Sequence, residues 1–239
     1  MITLIGVGHV FAISDQVTQL IRSKGPDVVC IELDRARYQS LRSGSRSGRV
    51  PLQYSLMAMF QKKMADRFGA EVGAEMLAAA EAAREINAKI AFVDVDASAM
   101  LTVLWKKMTM RERIKLLAGA LIGLVSSKET VEREMEAYQN NDEGYLKSVE
   151  EQFPVLKKVL IDDRNRIMAE RISEVAETHT NVVAVVGDGH VPGIATALAR
   201  QDLEVVRLKQ LMGGTSMTFD EPSEHSTTFY LNEDNSWQR

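Results

Sequence analysis

The sequence predicts an α/β fold with a mostly parallel central sheet, built from a β-α-β unit at each end of the chain and a large helical region inserted between them. Two observations predict this fold. Apolar residues form continuous short runs of the kind found in buried parallel strands, at residues 2–7, 28–31, 90–93, 182–186 and 204–208. Between most of these runs, apolar residues recur at three- and four-residue spacing, which is typical of amphipathic helices.

The first third of the chain is predicted to form a strand, a helix and a second strand. Ser14 is a candidate N-cap for a helix that carries apolar residues at helical spacing, and Gly25 and Pro26 end that helix. The strand at residues 28–31 is followed by an acid, Glu32, and then by a short helix at residues 34–41. The Gly- and Ser-rich residues 43–49 predict a loop.

The middle of the chain is predicted to be mainly helical. Helical periodicity covers residues 54–67, 71–87 and 98 to about 150, with the strand at 90–93 among them. We place the helical insertion at about residues 51–150. Pro154 suits the first turn of a further long helix that runs toward Thr178.

The last third repeats the pattern of the first, with a helix at residues 191–200 between two strands. We therefore predict a single domain over residues 1–212 and a polar C-terminal tail over residues 213–239. That tail is either disordered or an edge hairpin formed by residues 217–219 and 227–231.

Composition narrows the functional classes. The 239 residues are 45% hydrophobic and 26% charged, with a net charge of -4, so a disordered chain and a nucleic acid partner are both disfavoured. The single cysteine, Cys30, lies in an apolar run and is predicted to be a buried hydrophobe, which excludes an intramolecular disulfide.

The chain shows no signal peptide, and its longest apolar run, residues 116–125, is shorter than the roughly 20 residues that a bilayer-spanning helix needs. We therefore expect no transmembrane segment and a cytoplasmic location. The same run is apolar almost all round and must be covered, which favours a homodimer.

Two similar turns carry the chemical information. Gly6-Val7-Gly8-His9 and Gly187-Asp188-Gly189-His190 each follow a predicted strand and lead into a helix. Ligands of open parallel sheets bind beyond the carboxyl ends of the strands, where the strand order reverses. If the two units meet at such a point, His9 and His190 converge on one crevice.

Acidic residues are placed to join these histidines. Glu32 and Asp94 each end a predicted strand, and Asp188 lies inside the second turn. Two histidines and a carboxylate form a common site for a hydrolytic divalent metal ion, so His9, His190 and Glu32 are the predicted metal ligands. A structural cap is the alternative role for Glu32.

The remaining two histidines, and the possibility of a dinucleotide-binding loop, tell less about function. A dinucleotide-binding loop would need a third glycine, where this chain has Phe11 and Pro192. His179 and His225 lie in polar surroundings and are predicted to be solvated.

The ordered set of motifs resembles the TraB domain, or pheromone-shutdown, family. The resemblance covers the chain up to about Met212. It is carried by Gly6 to Val10, Pro26 to Leu41, Gly73 to Ala80, Asp94 to Asp96, Lys107-Met108, Asp163 to Ala169 and Gly187 to Ile194.

The resemblance implies a relation to Tiki-type metalloproteases and, more distantly, to erythromycin esterase and ChaN folds. These relatives share two Gly-x-x-His motifs and an early glutamate, which match His9, His190 and Glu32. The arginine of a further shared motif matches Arg164. Read from the sequence alone, Arg164 lies on an apolar-faced helix and either reaches solvent or pairs with a buried acid.

This chain departs from the family at two points. Many relatives carry an arginine where Val95 stands between two acids, and many carry C-terminal membrane helices where this chain has a polar tail.

The sequence thus predicts a metal-dependent hydrolase, a peptidase acting on a peptide signal. His9, His190 and Glu32 would hold Mn, Co or Zn, and Glu32 would be a third ligand or the general base. Arg164 would polarise the substrate or orient Glu32. The alternative is a binding protein that uses the same crevice to sequester a peptide or small ligand without turnover.

Overall fold

The computed structural model describes residues 1–8, 13–43, 73–125, 150–199, 202–213, 230–231 and 237–238. The strands of the main sheet are β1 (Ile2–Val7), β2 (Val28–Ile31), β3 (Lys89–Phe92), β4 (Val182–Gly187) and β5 (Leu203–Val206). The first helices are α1 (Ser14–Lys24), α2 (Arg35–Ser43), α3 (Ala74–Glu85), α4 (Ala97–Lys107) and α5 (Met110–Val125). The later helices are α6 (Pro154–Lys157), α7 (Asp163–Thr178), α8 (Val191–Leu198) and α9 (Leu208–Met212).

The five strands form one all-parallel sheet in the order β3-β2-β4-β1-β5, which confirms the predicted fold class. β1 and β4 are neighbours, with Val7 opposite Gly187, and β2 pairs with β4, with Ile31 opposite Val185. Continuous apolar runs form these strands because helices cover both faces of the sheet and leave no face for polar side chains.

The two faces of the sheet carry separate cores. One core contains Val17 and Ile21 of α1 together with the alanines of α3, and the other contains Met168 and Ile172 of α7 together with Ile194 of α8. Parallel crossovers are right-handed. The connections after β2 and β4 run in opposite directions across the sheet, so their helices lie on opposite faces.

Element ends differ from the predictions at several places, and two of these differences have a visible cause. Ser14 is the first residue of α1 rather than its N-cap, because the buried Ile13 occupies the capping position and supplies no side-chain bond. β5 ends at Val206 rather than 208, and Leu208 begins α9, because the Leu208 N–H donates to Asp188 Oδ1 at 2.8 Å. Gly25 ends α1 in the left-handed region, at φ 53°, as its sequence position predicts.

The predicted helix over residues 154–178 is present but is interrupted. α6 continues through a π-turn (Lys158–Asp162) into α7. A third, smaller cluster lies beside the π-turn: buried Leu104, Met108 and Val159 pack there with partly buried residues of α6.

Several predictions concern residues that the structure does not describe. The helix at 54–67 and much of the predicted insertion lie there, so the domain limits at 1–212, 51–150 and 213–239 stay predictions. In the tail, Tyr230–Leu231 pairs antiparallel with Trp237–Gln238, whereas the predicted pairing segment 217–219 lies outside the described residues.

The structure also describes the burial of Cys30 and the lengths of the helices, which bear on membrane crossing. Cys30 is fully buried at the centre of the sheet, and burial raises the pKa of its thiol to about 12. Within the described ranges, no helix is both long enough and apolar enough to cross a membrane. Whether a second copy of the chain covers α5 stays a prediction.

Candidate active site

Glu32 joins the carboxyl ends of the neighbouring strands β2 and β4. It follows β2 directly, and its backbone N–H donates to Val185 of β4 at 3.0 Å. Its side chain is only 4% exposed, and Oε2 accepts the backbone N–H of Gly187 at 2.5 Å. The other carboxylate oxygen, Oε1, faces Arg164 and His190.

Arg164 bridges two buried carboxylates. It lies at the start of α7, just after the π-turn. Its Nε and Nη2 each donate to the Asp94 carboxylate at 2.9 Å, and Nη2 also donates to Glu32 Oε1. Its Nη1 donates to the Leu160 carbonyl at 3.1 Å, which ties the guanidinium to its own helix. Of the two alternatives that the sequence left for this arginine, the structure shows pairing with buried acids.

The charge of Arg164 is secured by these acids. Burial opposes the charged form, but the negative charge of Glu32 and the hydrogen bonds that Arg164 donates to Asp94 outweigh that effect, so the pKa of Arg164 lies above its ordinary value. The site therefore contains a permanent cation between Glu32 and Asp94.

His190 is held in one tautomer. It ends a short 3₁₀ turn (Asp188–His190) after β4 and is 7% exposed. Arg164 Nη1 lies 3.0 Å from Nε2, and Asn165 Oδ1 lies 2.7 Å from Nδ1. A guanidinium only donates, so Nε2 is the acceptor and Nδ1 carries the hydrogen that Asn165 accepts. This is a neutral imidazole whose Nε2 points toward Glu32 Oε1, 3.4 Å away.

Asp188 does not join this group. Its carboxylate accepts Arg207 Nε at 2.9 Å, Arg207 Nη2 at 2.8 Å and the Leu208 N–H at 2.8 Å. It also packs against Gly6, where an added Cβ would lie 2.3 Å from Asp188 Oδ1. Asp188 therefore fixes the turn after β4 against β1 and the start of α9, and it holds no ligand position.

The site lies where the strand order reverses. The chain leaves β2 toward β3 at one side of the sheet and leaves β4 toward β5 at the other. The crevice between such diverging connections is where open parallel sheets bind ligands. His9 lies outside the described residues, but it follows Gly8, and β1 ends beside β4. Its place in the site stays a prediction.

Comparison with known proteins decides the family. A model of the TraB/PrgY/gumN family matches residues 1–207. The chain belongs to the TraB/PrgY/gumN family. This confirms the family that the sequence motifs predict.

This family member also resembles an uncharacterized protein of Methanocaldococcus jannaschii, with 30% identity. The match covers 87% of the present chain and 58% of that relative. The chain thus spans little more than half the length of this curated relative.

The metal that the family resemblance implies can be tested against the donors. Among the residues that the structure describes, no three His, Cys, Asp or Glu side chains are grouped so as to hold an ion. His190 Nε2 and Glu32 Oε1, however, are 3.4 Å apart. Ligands about 2.1 Å from a tetrahedral ion lie about 3.4 Å from each other. These two donors therefore fit one shared ion, although both also contact Arg164.

Sequence reasoning missed the roles of three side chains around the site. Asn165 orients His190, Arg171 donates to the backbone carbonyl of Asp94 at 2.5 Å, and Arg37 approaches Asp94 Oδ2 at 3.5 Å from the solvent side. Asn165 and Arg37 both stand inside the motifs that carry the family resemblance, which was the available signal.

Proposed function

We propose that this TraB/PrgY/gumN family member is a metal-dependent hydrolase, a peptidase acting on a peptide signal. The observation that carries the proposal is the convergence of Glu32, Arg164 and a neutral His190 in the crevice where β2 and β4 diverge. Buried acids, a fixed cation and an oriented imidazole in such a crevice are the components of hydrolytic sites.

His190 Nε2 and Glu32 Oε1 are the two described donors for the ion, and His9 is the predicted third. Mn, Co and Zn are the candidate metals. When bound, the ion supplies Lewis-acid chemistry and makes a water nucleophilic near neutral pH.

The chain's own residues supply the remaining chemistry. The Gly187 N–H holds Oε2 of Glu32, so Oε1 is the oxygen that faces the crevice, either as a ligand of the ion or, in its alternative role, as the proton acceptor. Asn165 holds the Nδ1 hydrogen of His190 and thereby directs Nε2 to the same place. The Arg164 guanidinium is the nearby cation that would stabilise negative charge developing on a substrate carbonyl.

The alternative function is sequestration without turnover. One observation favours it: both Glu32 oxygens accept hydrogen bonds from the protein, so both take part in holding the crevice together. A binding protein needs the crevice and its charges but no proton acceptor.

Cleavage of a peptide library, followed by mass spectrometry with and without Mn²⁺, Co²⁺ or Zn²⁺, tests the proposal. We expect ion-dependent cleavage that is lost in His190→Ala and retained in the control His179→Ala. His179 is a suitable control because it contacts Lys89 at 3.2 Å and lies at the other end of β4. Binding of peptides without cleavage under all ions would favour sequestration instead.

A further inference from the structure

The two donors that would hold an ion are already bridged by a cation. Arg164 Nη1 contacts His190 Nε2, and Arg164 Nη2 contacts Glu32 Oε1. The imidazole Nε2 has one lone pair, so a divalent ion that binds His190 must end its contact with Arg164 Nη1. The guanidinium beside Glu32 Oε1 also repels the ion.

We propose that Arg164 is an exchangeable internal cation: its guanidinium competes with the metal ion for His190 and Glu32 and withdraws from them when the ion binds. The inference rests on the proposed metal site. It assigns Arg164 a role in setting metal affinity, in addition to any role toward substrate.

The contacts of Arg164 divide into two sets that suit such an exchange. Two contacts go to the predicted ligands, His190 and Glu32. Three others, two to Asp94 and one to the Leu160 carbonyl, involve no predicted ligand and can hold the arginine after the exchange.

Asp94 is the partner that keeps Arg164 in place during the exchange. Its side chain is 2% exposed, its Oδ1 also accepts the Val95 N–H at 2.8 Å, and Arg171 holds its backbone carbonyl. Because the carboxylate is fixed by its surroundings, it keeps the guanidinium close when Glu32 and His190 are engaged elsewhere. The same guanidinium offsets repulsion between the Glu32 and Asp94 carboxylates.

The test is the affinity for Mn²⁺, measured by isothermal titration calorimetry on the full chain. Arg164→Gln removes the competing cation, so we expect Mn²⁺ to bind at least tenfold more tightly than to the parent, which is about 1.4 kcal/mol. The matched control is Arg37→Gln, which removes a charge 3.5 Å from Asp94 Oδ2. That variant should change the affinity less than threefold.

The control separates exchange from a general charge effect. If Arg37→Gln tightens binding as much as Arg164→Gln does, or if Arg164→Gln binds Mn²⁺ no better than the parent, the inference is wrong while the metal site stands. If His190→Ala binds Mn²⁺ as well as the parent, the metal site itself is wrong, and the proposed function falls with it.

Arg164→Gln leaves two buried acids without their cation and can fail to fold. Arg164→Lys then decides the question, since an ammonium group keeps the charge but cannot reproduce the forked contacts to Asp94, Glu32 and His190 together. We expect tighter Mn²⁺ binding in this variant too. Adding Mn²⁺ should also raise its melting temperature by more than it raises that of the parent. Unchanged affinity in Arg164→Lys would overturn the inference.

Discussion

Replacing Glu32 by glutamine should destabilise the fold whatever the chemical role of Glu32 is. Both carboxylate oxygens accept hydrogen bonds from buried donors: Oε1 from Arg164 and Oε2 from the Gly187 N–H. A glutamine has one acceptor oxygen and one NH₂ group. In either orientation its NH₂ must face a donor, so one buried donor loses its acceptor.

The size of the effect follows from these contacts. A buried donor left without an acceptor costs about 1–3 kcal/mol. Removing the negative charge beside Arg164 adds to this, although Asp94 continues to pair with the guanidinium. We therefore expect the free energy of unfolding to fall by about 2–4 kcal/mol. For a chain of this length, each kcal/mol corresponds to about 2–4 °C in Tm, so Tm should fall by at least about 4 °C.

Urea denaturation and thermal unfolding of Glu32→Gln measure this directly. The control is Glu170→Gln, since Glu170 is 56% exposed and forms a surface pair with Arg166, and such pairs contribute about 0–1 kcal/mol. A Tm for Glu32→Gln within 1 °C of the parent would refute the reasoning. A loss of stability alone does not identify Glu32 as a structural cap. If Glu32 is the general base, the Glu32→Gln variant must also lower turnover per folded molecule by at least about a hundredfold.

Three further changes test other parts of the structure. Gly193→Ala places a Cβ 2.1 Å from Asn165 Nδ2, so Asn165 must move, and we expect a loss of about 1–3 kcal/mol in thermal unfolding; an unchanged Tm contradicts this. Cys30, buried and with a raised pKa, should resist iodoacetamide at pH 8 in the native protein and react in urea; equal rates would contradict its burial. The backbone N–H of Thr109 holds the pKa of Glu112 below its usual range, so this residue stabilises the fold above about pH 4, and the benefit is lost as pH falls through the lowered pKa. The stability difference between the parent and Glu112→Gln should therefore shrink from pH 7 to pH 3 in urea titrations, and a constant difference would contradict the assignment.

The strands and their shared edge were predictable because they depend on local composition. The apolar runs of β1, β2 and β4 need no long-range information, and the acids after β2 and β3 follow from the rule that parallel strands end at one edge. Glu32 and Asp94 could therefore be placed together with His190 from the sequence. That Arg164 joins them needed the family motif, since an arginine on a helix face reaches solvent as readily as a buried acid.

The remaining features depend on contacts between distant parts of the chain. Asn165 orients His190, which lies 25 residues further along, and Asp188 is taken by Arg207, 19 residues further along. Periodicity and composition do not distinguish these polar residues from solvated ones, and the available signal for Asn165 and Asp188 was their place inside the motifs that carry the family resemblance. The π-turn is equally hidden, because the residues Lys158–Asp162 are all compatible with an ordinary α-helix.

The π-turn changes the rotational setting of one continuous helix part-way along its length. α6 and the π-turn turn their apolar residues toward the small cluster of Leu104 and Met108, while α7 turns Met168 and Ile172 toward the sheet. Each residue of an α-helix advances the side-chain direction by about 100°, so removing one residue from the π-turn would rotate α6 by about that angle against α7. The guanidinium is attached to this turn, because the Leu160 carbonyl that accepts Arg164 Nη1 lies within it. Leu160 also packs against the cluster of Leu104 and Met108, so a change in that packing reaches the charged site through the turn.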